Sequence, residues 1–172
     1  MAKANVFLCL IPLILMVLLG TVQFTKDNEY YTPKSLVQRF GSFDYDPATT
    51  EAKAEEFGIP VFDTIDTDGL ARDWTPFRRI WINPPFTRKH EFLKKAWETY
   101  QKTKADIYIL FPIEFVTTKR FHDTVHGGIL FIPNGRIKFE SGLGKPGKSP
   151  AFGSIVMKLN DTWEFIPMNI KE

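Results

Sequence analysis

The chain has 172 residues, of which 44% are hydrophobic and 24% are charged, a composition that is ordinary for one globular domain with its own core. Its formal net charge of +2 permits a nucleic acid as a partner without requiring one, because binding depends on a local patch and not on the total. The single cysteine, Cys9, excludes an internal disulfide bond and a cysteine-rich metal site, so a reducing compartment is favoured.

The first 24 residues form an apolar N-terminal segment. Residues 6–22 are almost wholly apolar, interrupted by a proline and a glycine. The uninterrupted part has about 15 residues, shorter than the ~20 that span a bilayer, so a signal-like region fits it better than a transmembrane anchor. A translation start at Met16, or an extension without a function, is the alternative that we favour over membrane association and export. We therefore expect a cytoplasmic protein.

The next elements alternate between helices and a strand. Residues 32–41 predict a helix that has a threonine cap, a proline in its first turn and a glycine stop. Residues 42–46 predict a short strand, and residues 51–57 predict the following helix. An acidic residue where a strand turns into a helix N-terminus is typical of nucleotide sites in α/β sheets, so Asp46 is expected to face a ligand. The G-x-G signature that often marks such a turn is absent.

Residues 63–69 read DTIDTDG, with acidic residues spaced by two as in a calcium-binding loop. The pattern fails because counting Gly69 as the sixth position places Thr64 first and Thr75 last, where Asp and Glu are required. A solvated acidic turn is one interpretation of this segment. Trp74, which follows it, is expected to pack in the core.

Residues 80–87 read IWINPPFT and begin with the end of a buried strand. The two prolines that follow fix φ and make a stiff turn, which holds the Asn83 amide and the Pro84 carbonyl beside Phe86. Two acceptors next to an aromatic face suit a planar group with an NH2, such as a nucleobase amine, since each oxygen can take one hydrogen while the ring stacks. The alternative is a diproline turn in which Asn83 caps the next helix.

Three later elements have clear patterns. Residues 90–103 place apolar side chains at helical spacing and predict an amphipathic helix that covers the sheet. Residues 106–112 form a continuous apolar run, which is typical of a strand covered on both faces. Residues 154–159 predict another strand.

The C-terminal part carries a strong turn signal. Residues 128–133 and 136–139 flank an Asn-Gly pair, so we predict that they form an antiparallel hairpin. Trp163 and Phe165, near the end of the chain, are expected to pack on the domain.

Five short motifs stand in the order in which they occur in the phage-type DNA N6-adenine methyltransferases, the Dam-like family. They are YTP at 31–33, FDYDPA at 43–48, DGL followed by DW at 68–74, WINPPF at 81–86, and GRIKF with a later GS at 135–139 and 153–154. The chain from about Tyr30 to Leu159 therefore resembles this family.

The resemblance implies S-adenosylmethionine as the methyl donor and DNA as the substrate. Activation of an amine by two hydrogen-bond acceptors needs no metal, so none is expected. It implies that the YTP element contacts the methionine end of the donor and that the DGL element lies near its adenine. The cofactor-binding residues that it implies are Tyr31, Thr32, Pro33, Asp46, Pro47, Ala48, Asp68 and Leu70. The catalytic residues that it implies are Asn83, Pro84, Pro85 and Phe86.

Residues 141–153 are rich in glycine and few of them are apolar. A basic loop beside the active face suits the phosphates of DNA, so Lys145 and Lys148 are expected to contact the backbone, assisted by Arg136. The alternative is a hairpin loop without a ligand.

We therefore expect residues 25–172 to form an α/β domain, a three-layer Rossmann-like class I methyltransferase with a C-terminal antiparallel hairpin. Its expected reaction is methyl transfer to the N6 amino group of adenine in DNA. One alternative is a degenerate relative that binds DNA or cofactor without turnover, and another is a membrane-attached protein in which NPPF is coincidental. NPPF also occurs in enzymes that modify cytosine N4 or glutamine amides, where the same two acceptors would work.

Overall fold

The computed structural model describes residues 30–142, 145–146 and 150–170. The apolar segment at 6–22 lies outside the described residues. The predictions made for it, namely a signal-like region, an anchor or a start at Met16, therefore concern residues outside the described ranges. Within the described ranges, no helix combines the length and the apolar character that crossing a membrane requires.

The described chain is a mixed α/β structure. Its helices are α1 (Lys34–Gln38), α2 (Glu51–Phe57), α3 (Lys89–Thr103) and α4 (Lys119–Thr124), with a 3-10 helix at Ile113–Thr117. Its strands are β1 (Tyr45–Asp46), β2 (Val61–Phe62), β3 (Arg79–Ile82), β4 (Asp106–Pro112), β5 (Gly128–Pro133), β6 (Glu140–Gly142), β7 (Lys145–Pro146), β8 (Ser154–Leu159) and β9 (Trp163–Met168).

Seven of these strands form one sheet in the order β2-β1-β3-β4-β8-β5-β9, and β6 pairs with β7 separately. The first four strands run parallel to one another, so their carboxyl ends meet at one edge. β8 lies antiparallel between β4 and β5, and β9 is parallel to β5. The sheet is therefore parallel on the side where the predicted site residues follow the strands.

Apolar clusters cover both faces of the sheet. Alternate residues of a strand point to opposite faces, and accordingly Ile80 and Ile82 belong to a cluster with α3, while Trp81 belongs to another with α1. Ile80, Trp81 and Ile82 are all fully buried. This explains why β3 reads as a continuous apolar run and not as an alternating one.

Several predicted elements are confirmed. α2 has the predicted bounds, and so do β4 and β8; α3 begins one residue earlier than predicted. β1 and α1 are shorter than predicted, although the helix segment does end before Gly41, whose φ is +91°. Trp74 lies in the core, where its Nε1 donates to the Gly69 carbonyl at 2.7 Å.

The hairpin predicted around Asn134-Gly135 is wrong. Residues 136–139 form no strand, and the neighbours of β5 in the sheet are β8 and β9. Ile137 and Phe139 are instead buried in the cluster that contains Trp81. Burial of these side chains outweighs the local turn signal, because an Asn-Gly pair favours a turn but does not choose the partner of the strand before it.

The chain end also differs from the prediction. It forms an edge strand, β9, in which Phe165 is 66% exposed and Trp163 is 39% exposed. Trp163 does approach the ring of Phe121, at 5.9 Å between centroids. The expected packing is therefore partial for Trp163 and wrong for Phe165.

A substitution at Gly127 tests the packing between the start of β5 and the turn before β9. A Cβ at Gly127 would lie 2.4 Å from the Asn160 carbonyl oxygen, which belongs to the backbone and cannot rotate away. We expect Gly127→Ala to lower the free energy of unfolding by about 1–3 kcal/mol, as overpacking does. Urea denaturation followed by circular dichroism measures this change.

The matched control is Gly135→Ala. Its Cβ would meet Ile170 at 3.6 Å, an ordinary contact, so we expect a change within about 0.5 kcal/mol. Equal effects of the two substitutions would contradict the described packing.

Candidate active site

The NPPF turn leaves the sheet at the carboxyl end of β3. Asn83 is half-buried, and its Nδ2 donates to the Tyr30 carbonyl at 3.3 Å. Because an amide has separate donor and acceptor ends, this bond commits the nitrogen and leaves Oδ1 as the acceptor. The Pro85 carbonyl accepts the Arg88 N–H at 3.0 Å, whereas no N–H within the described ranges bonds to the Pro84 carbonyl.

Phe86 is held among aromatic side chains. Its ring meets Tyr30 edge-on at 6.2 Å and Phe152 at 5.1 Å, both between centroids. Its backbone carbonyl accepts a hydrogen bond from Lys89 Nζ at 2.8 Å. The turn is therefore fixed by contacts with a preceding segment, a late loop and α3.

A cavity of about 710 Å³ opens where β1, β3 and β4 end. This volume lies within the range of small-molecule sites. The side beyond β1 and β2 carries Asp46, Pro47, Ala48, Glu51, Asp66 and Asp68. The side beyond β3 and β4 carries Asn83, Pro84, Pro85, Phe86, Lys89, Phe111 and Pro112.

Asp46 is the buried acid of this cavity, with 1% of its surface exposed. Its carboxylate accepts the Ala48 N–H at 3.0 Å. Burial raises the pKa of Asp46 to about 7, because the charged form loses its hydration, and hydrogen bonds from Ala48 and Thr49 only partly compensate.

A hydrogen-bond network supports the wall formed by residues 63–69. Buried Asp63 accepts from the Tyr45 hydroxyl at 2.7 Å and from Arg72 Nε at 2.6 Å. Burial alone would raise the pKa of Asp63, but the bonds from Arg72 and Tyr45 outweigh it and hold that pKa below its usual range. The Asp63 N–H also donates to the Asp46 carbonyl at 2.9 Å, which ties the wall to the end of β1.

The same wall touches the β1–α2 turn directly. Gly69 packs on Pro47 so closely that a Cβ would come within 2.1 Å of the Pro47 carbonyl oxygen. Lys95, from α3, donates to the Leu70 and Arg72 carbonyls. The packing of Gly69 on Pro47 and the two hydrogen bonds from Lys95 therefore position this wall against the β1–α2 turn. That turn lacks the G-x-G signature.

Lys53 fixes the YTP segment to the cavity. It is 3% exposed, and its Nζ donates to Glu56 at 2.7 Å and to the Thr32 carbonyl at 3.3 Å, and also pairs with Glu140. Tyr31 and Glu140 exchange backbone hydrogen bonds of 3.1 and 2.9 Å. This lysine was missed in the sequence because α2 is only seven residues long and its charged positions resemble a solvated face.

The structure brings most of the predicted site residues together. Those that line the cavity are Tyr31, Thr32, Asp46, Pro47, Ala48, Asp68, Asn83, Pro84, Pro85 and Phe86. Pro33 and Leu70 lie outside its wall; Pro33 caps α1, and Leu70 packs against the core. Tyr30, which no motif contained, lines it and orients Asn83.

The predicted DNA-contacting residues are Arg136, Lys145 and Lys148, and Arg136 does not line the cavity. Arg136 is exposed, and Lys145 belongs to β7. Lys148 lies outside the described residues. No group of three or more His, Cys, Asp or Glu side chains suited to a metal ion occurs in the part of the chain that the structure describes.

The raised pKa of Asp46 predicts a pH-dependent stability. Between the unfolded pKa of 3.8 and the folded value of about 7, the folded state keeps a proton that the unfolded state has released, so the stability of the wild type falls as pH rises. Asp46→Asn removes this term and retains an acceptor for Ala48. We expect the free energy of unfolding of the variant, minus that of the wild type, to increase by up to about 4 kcal/mol between pH 4 and pH 8.

Urea denaturation of both proteins across this pH range measures the difference. A difference that does not change with pH would contradict the assignment of a protonated Asp46.

Two comparisons with known proteins bear on the family of this chain. The family model described as DNA N-6-adenine-methyltransferase (Dam) matches residues 22–166. A DNA N-6-adenine-methyltransferase of Escherichia phage T1 is 31% identical over 87 residues, which cover 48% of this chain and 35% of the phage protein. The match thus spans about a third of the length of that relative. Because the family match covers well over half of the chain, the protein belongs to the Dam family of DNA N-6-adenine-methyltransferases.

Proposed function

We propose that the protein transfers a methyl group from S-adenosylmethionine to the N6 amino group of adenine in DNA. The observation that carries this proposal is the Asn83 amide, whose nitrogen is engaged by the Tyr30 carbonyl and whose oxygen remains as an acceptor at the cavity. The family assignment supports the reaction class, and the proposal extends it to this chain.

The side of the cavity beyond β1 and β2 fits a cationic methyl donor. Asp46, Glu51, Asp66 and Asp68 line this side, and the carboxylates of Glu51, Asp66 and Asp68 suit the sulfonium and ammonium groups of S-adenosylmethionine. When bound, the donor supplies an electrophilic methyl group.

Individual contacts follow the family pattern. We assign the methionine end to Tyr31 and Thr32 and the adenine end to Asp68, with Asp46, Pro47 and Ala48 at the turn between them. Pro33 and Leu70 act by holding Thr32 and Asp68, because they lie outside the cavity wall.

The NPPF turn prepares the target amine. Asn83 Oδ1 and the Pro84 carbonyl each accept one N–H of the amine, which withdraws the nitrogen lone pair from the ring and leaves it free to attack. That lone pair forms the new N–C bond as the methyl–sulfur bond breaks, the sulfur keeps the electron pair, and one amine proton leaves to solvent. Orientation by the stiff turn supplies most of the rate gain.

Phe86 provides the stacking surface for the adenine. In duplex DNA the base must leave the stack, at a cost of a few kcal/mol. Stacking against an aromatic ring recovers about 1–3 kcal/mol of that cost.

Three further parts of the proposal concern the chain as a whole. We propose that Arg136, Lys145 and Lys148 contact the DNA backbone. We also propose that residues 25–172 form a Rossmann-like class I domain and that the protein meets DNA and the donor in the cytoplasm.

Asn83→Ala tests the catalytic assignment. We expect the variant to lose at least about 100-fold in the rate of methyl transfer, because one of two fixed acceptors for the amine is removed. Transfer of a labelled methyl group to unmethylated genomic DNA measures the rate. The cofactor should still bind, as isothermal calorimetry with S-adenosylmethionine would report.

The matched control is Asn160→Ala. Asn160 donates to Thr162 at 3.2 Å in the turn before β9, so the control loses an amide remote from the cavity wall and should keep the wild-type rate. An Asn83→Ala protein that methylates DNA at the wild-type rate would refute the assignment. A wild type that binds the donor without transferring methyl would identify a degenerate relative instead.

A further inference from the structure

The charged side chains of the cavity differ in how far they are neutralised. Among the residues that the structure describes, three cationic side chains line it, namely Lys53, Arg88 and Lys89. Lys53 is paired with Glu56 and Glu140, and Arg88 is paired with Asp68 and Glu91. Both therefore have carboxylates against them already.

Lys89 differs from Lys53 and Arg88. Within the described ranges, no carboxylate lies at ion-pair distance from its Nζ. Its Nζ donates to the Phe86 carbonyl at 2.8 Å and lies 5.3 Å from the centre of the Phe115 ring. A lysine ammonium has three N–H donors, so two remain for a ligand.

The location of Lys89 in the cavity indicates which kind of ligand it can bind. It lies beyond β3 and β4, next to Phe86, while the acidic side chains of the cavity follow β1 and β2. The acidic side suits the cationic donor, and the side with Lys89 suits an anion that accompanies the target base. An adenine that enters from DNA remains attached to a sugar with a phosphate on each side.

We propose that Lys89 is a phosphate-binding residue that holds the DNA backbone beside the extruded adenine. This role rests on the proposed methyl transfer to DNA. The Phe86 carbonyl fixes the ammonium next to the stacking ring, so binding of the phosphate and placement of the base on Phe86 are linked through one side chain. Lys89 thereby contributes to substrate position and not to the methyl transfer step itself.

The test compares Lys89→Gln, which removes the charge, with Lys89→Arg, which keeps it. The control is Lys94→Gln on the same helix, because Lys94 is absent from the cavity wall and lies 3.9 Å from Glu98. Dissociation constants for a pool of random-sequence duplex DNA are measured by fluorescence anisotropy over a range of salt concentrations, with S-adenosylhomocysteine present.

We expect Lys89→Gln to weaken binding about 5- to 30-fold at low salt. Its plot of log affinity against log salt should be less steep by about 0.9, the value for one lost phosphate contact. Lys89→Arg and Lys94→Gln should keep the wild-type slope. Calorimetric binding of S-adenosylhomocysteine checks that each variant is folded, and Lys89→Met, which keeps an unbranched side chain over Phe115, replaces the Gln variant if that one unfolds.

An unchanged slope for Lys89→Gln would overturn the proposal and leave Lys89 as a support for the turn. Equal losses for the Gln and Arg variants would do the same. Methyl transfer to the same DNA is measured in parallel. A wild type that transfers no methyl while the slopes differ as expected would refute the proposed reaction and retain the phosphate contact; active protein with equal slopes would do the reverse.

Discussion

Ile82 is the last residue of a strand that is buried on both faces, and two prolines follow Asn83 directly. The strand cannot slide, because its register with β4 is fixed over four residue pairs. The prolines cannot adopt other φ values. The backbone at Asn83 is therefore held by the buried strand that precedes it and by the two proline rings that follow it. The bond to the Tyr30 carbonyl then chooses which end of the amide remains available.

The side of the cavity beyond β1 and β2 uses a different kind of support. Many nucleotide sites depend on glycines that let the backbone approach the ligand, but here the wall rests on a side-chain network. Asp63 connects Tyr45 on β1 with Arg72 beyond the wall, and Lys95 on α3 holds two carbonyls of the same loop. The shape of the wall thus depends on the correct packing of α3 against the sheet.

Local patterns were sufficient for the elements that carry the site. β3, β4 and α3 were predicted from apolar runs and helical spacing, and the order of short motifs indicated the family. The hairpin failed because an Asn-Gly pair encodes a turn and not the strand that will pair with it. A β9 strand was not predicted, since its proline and exposed aromatic residues do not give the pattern of a half-buried strand.

The contacts that complete the site join residues that are not neighbours in sequence. Asp63 and Arg72 are nine residues apart, Lys53 and Glu140 are 87 apart, and Asn83 and Tyr30 are 53 apart. None of these pairs leaves a local pattern in a single sequence. The residues that were missed, Tyr30 and Lys53 among them, are for this reason the ones that hold the predicted residues in place.

The Tyr30 contact has a practical consequence for mutagenesis. The Asn83 amide bonds to the backbone carbonyl of Tyr30, and the Tyr30 residue also lines the cavity. A substitution of the tyrosine side chain therefore alters the cavity wall while the partner atom of the amide stays in the chain.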